Sequence, residues 1–215
     1  AGINFKIEDN IVECTATDSY RLAIKRIILP NKVNEKSNII IPTKNLNELI
    51  KLMNNDEEDV EMHIFGNKVV FKLSEITMMT RLISGTYPDT SKLIPETFEL
   101  TMNVNYNDFY NAIDRASLLT SESDKNTIKF ESNNEIALIS SNIPEIGNVE
   151  EKIKVEKDNE QEIKIAFNSR FMMEAIRAIE SDEIKLMFNV EIKPIILKNS
   201  ESDDLIQLIL PIRTY

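Results

Sequence analysis

The residues able to do chemistry in this chain are few, and their spacing suits holding a partner better than transforming one. His63 is the only histidine and Cys14 the only cysteine, so no zinc set can be assembled. His63 falls inside an alternating stretch from Val60 to Phe65, where a half-exposed strand position is expected in place of a general base. The acidic run Asp56-Glu57-Glu58-Asp59 lies between a helical and an extended pattern, as a solvated turn does. No phosphate loop, dinucleotide fingerprint or nucleophile elbow occurs. A hydrolase would need Asp and Glu side chains to converge, which the linear pattern does not indicate. The cations are more regular. Lys44 and Lys51 are seven residues apart, and so are Arg170 and Arg177. Seven residues is about two helical turns, so each pair shares one helical face. Two readings stay open: solvation of the outer side of an amphipathic helix, or contact with phosphates.

The elements carrying these cations repeat. With Pro42, Asn105 and Asn168 as starting points, 63 residues apart, three segments superimpose without gaps. They carry Leu46, Leu49, Ile50 and Met53 in the first copy. Phe109, Ala112, Ile113 and Ala116 follow in the second, and Met172, Ala175, Ile176 and Ile179 in the third. Each reads i, i+3, i+4, i+7, one apolar helical stripe opposite the cations. At the cationic positions the second copy has Asn107 and Asp114, with Arg115 beside them. Each helix precedes extended segments: 60–65 and 68–73 around Gly66-Asn67, 127–131 and 136–140 around Asn133-Asn134, and 184–188 before 195–198. A third stretch, such as 205–210, closes the unit. One helix plus about three antiparallel strands predicts an α+β fold with helices layered on sheets. The N-terminal stretches 3–7, 11–15 and 21–29 have no helix before them. The chain therefore begins in mid-unit, and with Ala1 first it reads as a fragment lacking the front of its first domain.

Composition sets the outer limits. A chain of 215 residues with 42% hydrophobic content can build two ordinary domains, and Gly85 to Thr97, punctuated by Gly85, Pro88 and Pro95, is the natural boundary. Twenty-five Lys and Arg against 36 Asp and Glu leave a net charge of −11, which excludes a surface that coats nucleic acid everywhere but allows a local basic face. A lone cysteine fits a reducing, cytoplasmic compartment. No apolar run approaches the roughly 18 residues of a membrane span.

Four stretches identify a relationship. Thr-Ala-Thr-Asp-Ser-Tyr-Arg-Leu-Ala at 15–23, Tyr-Pro-Asp-Thr-Ser-Lys-Leu-Ile-Pro at 87–95, Ala-Ile-Asp-Arg-Ala-Ser-Leu-Leu at 112–119 and Leu-Ile-Leu-Pro-Ile-Arg-Thr-Tyr at 208–215 occur in order. They resemble the bacterial DNA polymerase III beta subunit, the sliding clamp, in its Gram-positive form. The resemblance implies a DNA clamp fold, with helices on an inner face and sheets outside, three domains per subunit, and two subunits closing head to tail around duplex DNA. It assigns residues 1–88 to an incomplete middle domain, 89–97 to a connector and 98–215 to the C-terminal domain. Ring closure by this fragment is then in doubt.

The resemblance implies a non-enzymatic processivity factor without cofactor or metal. Its partners would be double-stranded DNA held without sequence readout, the replicative polymerase, the clamp loader and other proteins bearing clamp-binding motifs. Lys44, Lys51, Arg115, Arg170 and Arg177 would then face DNA. A peptide-binding groove between domains would take Thr17, Ser19, Tyr20, Arg21 and Leu22 on one wall. Pro88 and Leu93 would come from the connector, and Leu208, Ile209, Leu210, Pro211 and Ile212 from the last strand. Relatives often carry Gly-His at the place of Ser19-Tyr20 and Met-Pro-Met at the place of Leu210-Pro211-Ile212, so the pocket keeps its apolar character with another shape. Pro211 cannot donate to a central ladder, which marks its strand as an edge or an ending. The competing reading is an adaptor that binds peptides without encircling DNA.

Overall fold

The computed structural model of the chain describes residues 1–54, 59–190 and 192–214. Residues 56–58 of the acidic run lie outside them. The chain divides into two units, one of residues 1–16 and 24–89, the other of residues 17–23 and 90–215.

The first unit contains β1 (Gly2–Glu8), β2 (Ile11–Thr17), β3 (Arg21–Ile28), β4 (Ser37–Pro42), α1 (Thr43–Leu52), β5 (Glu61–Phe65), β6 (Lys68–Leu73) and β7 (Ile76–Arg81). Thr17 and Arg21–Ala23, at the facing ends of β2 and β3, group with the second unit. The strands form two sheets, β3-β2-β1-β4 and β5-β6-β7. Ile41, Leu46, Leu49, Val69, Phe71 and Leu73 make the core between them and α1.

The second unit holds β8 (Leu100–Asn105), α2 (Tyr106–Ser117), a short 3-10 turn (Glu122–Asp124), β9 (Thr127–Asn133), β10 (Ile136–Ile143), β11 (Gly147–Lys157), β12 (Lys164–Asn168), α3 (Ser169–Arg177), β13 (Glu183–Phe188), β14 (Ile195–Asn199) and β15 (Leu205–Ile209). Its strand order is β12-β9-β10-β11-β8-β13-β14-β15. The unit is thus strand-helix-three strands, written twice. Four fully buried rings knit the two copies together: Phe130 lies 6.1 Å from Phe109, 6.4 Å from Phe167 and 5.6 Å from Phe188. These come from β9, α2, β12 and β13, so neither copy has a core of its own.

The repeat read from sequence is physical. Pro42, Asn105 and Asn168 are the N-caps of α1, α2 and α3. The Asn105 side chain accepts from Asp108 N (3.0 Å) and that of Asn168 from Phe171 N (3.1 Å), satisfying helix donors that Pro42 leaves uncapped. Each cap also ends the strand before its helix, and that strand pairs into a different copy of the module. Pro42 pairs with Gly2, Asn105 with Glu183 and Asn168 with Thr127, each time the first residue of the receiving strand. The two modules of the second unit therefore exchange leading strands.

Most local expectations were met within a residue or two, and three differences have a physical reason. The second hairpin turns at Asn134-Glu135, one residue later than expected, because Asn134 takes the left-handed conformation (φ 55) and Asn133 still pairs with Ile136. The last strand stops at Ile209, one residue before Leu210, as the following Pro211 favours. Ile50 is 64% exposed, whereas Ile113 and Ile176 at equivalent positions are fully buried. In the second unit α2 and α3 lie side by side and cover that flank; α1 has no companion helix among the described residues of its unit. Met53, the last position of the same stripe, is the C-cap of α1 and half-buried.

Candidate functional site

The turn joining β2 to β3 is a compact polar knot. The Thr17 hydroxyl donates to Arg21 O (2.7 Å), while Asp18 Oδ1 accepts from the backbone N–H groups of Tyr20 (3.1 Å) and Arg21 (3.2 Å). Ser19 at the tip has φ 74, a left-handed conformation that L side chains adopt at some cost. Asp18 Oδ2 accepts from Arg21 Nε at 2.9 Å. Burial pushes the Asp18 carboxyl up, but the Arg21 guanidinium and the two N–H groups outweigh it and hold Asp18 below its ordinary range.

That knot rests on α3. The Arg21 guanidinium carbon lies 4.4 Å from the Phe171 ring centroid, and Nη1 donates to Glu174 Oε2. Burial works against the Arg21 charge, and the carboxylates of Glu174 and Asp18 more than restore it. Tyr20 also stacks on Phe171, with ring centroids 6.3 Å apart at 29°, and is itself 62% exposed. The chain after β15 closes the arrangement: Leu210 N donates to Tyr20 O (2.9 Å) and Ile212 N to Ala166 O (2.8 Å).

The structure thus joins Thr17, Ser19, Tyr20 and Arg21 to Leu210, Pro211 and Ile212. Leu210 is 40% exposed, and Pro211 and Ile212 are half-buried. Leu22, Leu208 and Ile209 are buried, so they support this surface from beneath and offer it little contact area of their own. Leu93 is exposed within the same unit, while Pro88 belongs to the first unit. Two participants were missed in the sequence, Phe171 and Glu174. Phe171 sits off the buried stripe of α3, and a contact between residues 153 positions apart leaves no mark in local periodicity.

The five cations assigned to DNA are all exposed, and those of α1 and α3 lie opposite the buried stripes. Most have partners. Lys51 Nζ meets Glu48 at 2.9 Å, Arg170 reaches Glu122 at 3.7 Å, and Arg115 grips Glu151 through two 2.8 Å bonds. Arg177 donates to the Tyr110 hydroxyl from Nε (3.0 Å) and Nη2 (2.7 Å). Lys44 is exposed and, after Lys51, helps to lower the Glu48 carboxyl. With one carboxylate against two cations on α1 and on α3, and the reverse on α2, the helices together carry +1 while the whole chain carries −11.

The remaining reactive groups do not assemble. His63 lies on β5, bonded to Glu61 (3.0 Å) and stacked near Phe65. Cys14 lies on β2, where burial first and Glu13 second push its thiol up to about 11, so it stays protonated at neutral pH. Among the described residues no cluster of three or more His, Cys, Asp or Glu could hold a metal ion. No described helix is long and apolar enough to cross a membrane.

Residues 1–89 match the family model for the DNA polymerase III beta subunit central domain, and residues 91–213 that for its C-terminal domain. The sequence is 45% identical over 214 residues to a beta sliding clamp of Staphylococcus epidermidis and 44% identical to one of Staphylococcus aureus, each time over 100% of this chain and 56% of the relative. The chain therefore spans little more than half the length of the curated relatives it matches. A solved DNA polymerase sliding clamp from Bacillus subtilis superimposes with a TM-score of 0.94 at 38% identity, covering 100% of this chain and 57% of that one. The beta chain from Streptococcus pneumoniae gives 0.92 at 30%, covering 99% and 57%.

Proposed function

The chain belongs to the DNA polymerase III beta subunit family, and from that premise we propose that it is a portion of a processivity clamp, a non-enzymatic protein that holds DNA without reading its sequence and tethers polymerase through short peptides. Residues 1–88 make the middle domain, 89–97 the connector and 98–215 the C-terminal domain. The peptide surface is formed by Thr17, Ser19, Tyr20, Arg21, Leu210, Pro211 and Ile212, joined by Phe171. The observation that carries this reading is the bond from Leu210 N to Tyr20 O: it brings together two of the four stretches, 15–23 and 208–215, that resemble the family. Exposed aromatic and aliphatic side chains around a fixed guanidinium suit a short tail whose apolar anchors gain most when fully desolvated.

A fluorescently labelled polymerase tail peptide tests the groove. Deleting residues 210–215 is expected to abolish its anisotropy change while leaving a cooperative unfolding transition, since β15 ends at Ile209. Retained affinity in that variant rejects the assignment. Encircling is a topological property, so a subunit carrying all three domains expected of the family is retained on closed circular duplex and lost when the circle is cut. An adaptor that only binds peptides shows no such difference.

A further inference from the structure

We infer that Glu174 is a specificity residue of the peptide surface, a built-in carboxylate that occupies Arg21 and keeps the groove from recruiting acidic peptides; this rests on the peptide-binding reading above. An arginine in a binding surface ordinarily recruits carboxylates, because its planar fork of N–H donors matches their geometry. Arg21 is the one cation of the 17–23 turn, and it is already engaged on two sides. Asp18 takes Nε and Glu174 takes Nη1, while Phe171 covers one face of the guanidinium plane.

Asp18 and Glu174 have different duties. Asp18 also accepts two backbone N–H groups, so it builds the turn. Glu174 comes from α3 and has no such structural task in the turn. Among the described residues its side chain bonds to Arg21, and it is 47% exposed. On its own helix Arg177, three residues on, and Arg170, four residues back, lie on the same side. Asp18 and Glu174 against Arg21, Arg170 and Arg177 leave +1, and the loss of Glu174 alone raises this to +2. The occupant that suits the native groove is therefore an apolar tail with an uncharged residue beside Arg21, one that does not have to displace a carboxylate to sit there.

A charge scan reads this out. A polymerase tail peptide is prepared with Glu or with Lys at each position in turn, and its affinity is measured for the native chain, E174Q, E174A and E174D. At the position that sits beside Arg21, E174Q and E174A are expected to shift the Glu-over-Lys affinity ratio toward Glu by about threefold or more, the scale of a partly exposed ion pair. E174D keeps the carboxylate and retains the native ratio. A uniform shift at every position reflects only the change in overall charge, screened beyond about 8 Å at physiological salt, and overturns the inference. So does a ratio unchanged at all positions, with the unmodified peptide still binding. If the unmodified peptide fails to bind the native chain, the groove itself is refuted and this inference with it. Two replacements at the same exposed helix position guard against misfolding of either one.

Discussion

Asp18 does two jobs with one carboxylate, and its titration reports both. Its native pKa is held below the ordinary value, so the charged form belongs to the folded turn; the stabilisation it brings is present above the unfolded pKa and fades as pH falls through the lower, native one. The backbone N–H resonances of Tyr20 and Arg21 should therefore move with an acid midpoint below about 3.9, the ordinary aspartate value. The same resonances should lose that transition in D18N. A midpoint at or above the ordinary value contradicts the bonding described. Arg21 needs no such caution, since it stays charged across the whole range. Much of this knot could be anticipated, because Thr-Asp-Ser-Tyr-Arg has the composition of a side-chain-capped turn. Phe171 and Glu174 could not, for they reach the turn only once α3 has been folded onto it.

Helix periodicity names the residues of an apolar stripe but not what lies across from them. Leu46, Leu49, Ile50 and Met53 look like a full stripe, yet Ile50 is mostly exposed because no second helix flanks α1 among the described residues. Ile176, at the same place in α3, is fully buried in the core of the second unit. Truncating Ile176 to Ala should cost about 2–5 kcal/mol by removing buried methyl groups and leaving a cavity. Truncating Ile50 to Ala should stay within about 0.5 kcal/mol, as a surface change does. Urea denaturation of the two variants checks the contrast, and equal losses would show that α1 is covered after all. The caps were more legible than the stripes. Asn105 and Asn168 are residues that start helices, and a constant interval drew Pro42 into line with them even though proline offers no cap bond.

For the whole molecule, a net charge of −11 means that any hold on DNA comes from position and not from sum. Lys44 and Arg170 head the first turns of α1 and α3, each carrying two cations to one carboxylate. Reversing both to Glu should weaken retention on duplex and lower the slope of log affinity against log salt by about two, close to 0.9 per lost phosphate contact. An unchanged slope would leave those helices as solvated faces. The α+β character, the helices and most strands were readable from periods of 3.6 and 2, because those periods are set locally. Strand order was not, since nothing in Lys164–Asn168 announces that it will lie beside Thr127–Asn133 rather than its own hairpin. That exchange reaches beyond this one chain. When two modules each lend a first strand and borrow the other's, as in the second unit, a solitary copy has a strand with no berth and a berth with no strand. A single copy cut free of its partner would be left searching for another molecule to complete the bargain.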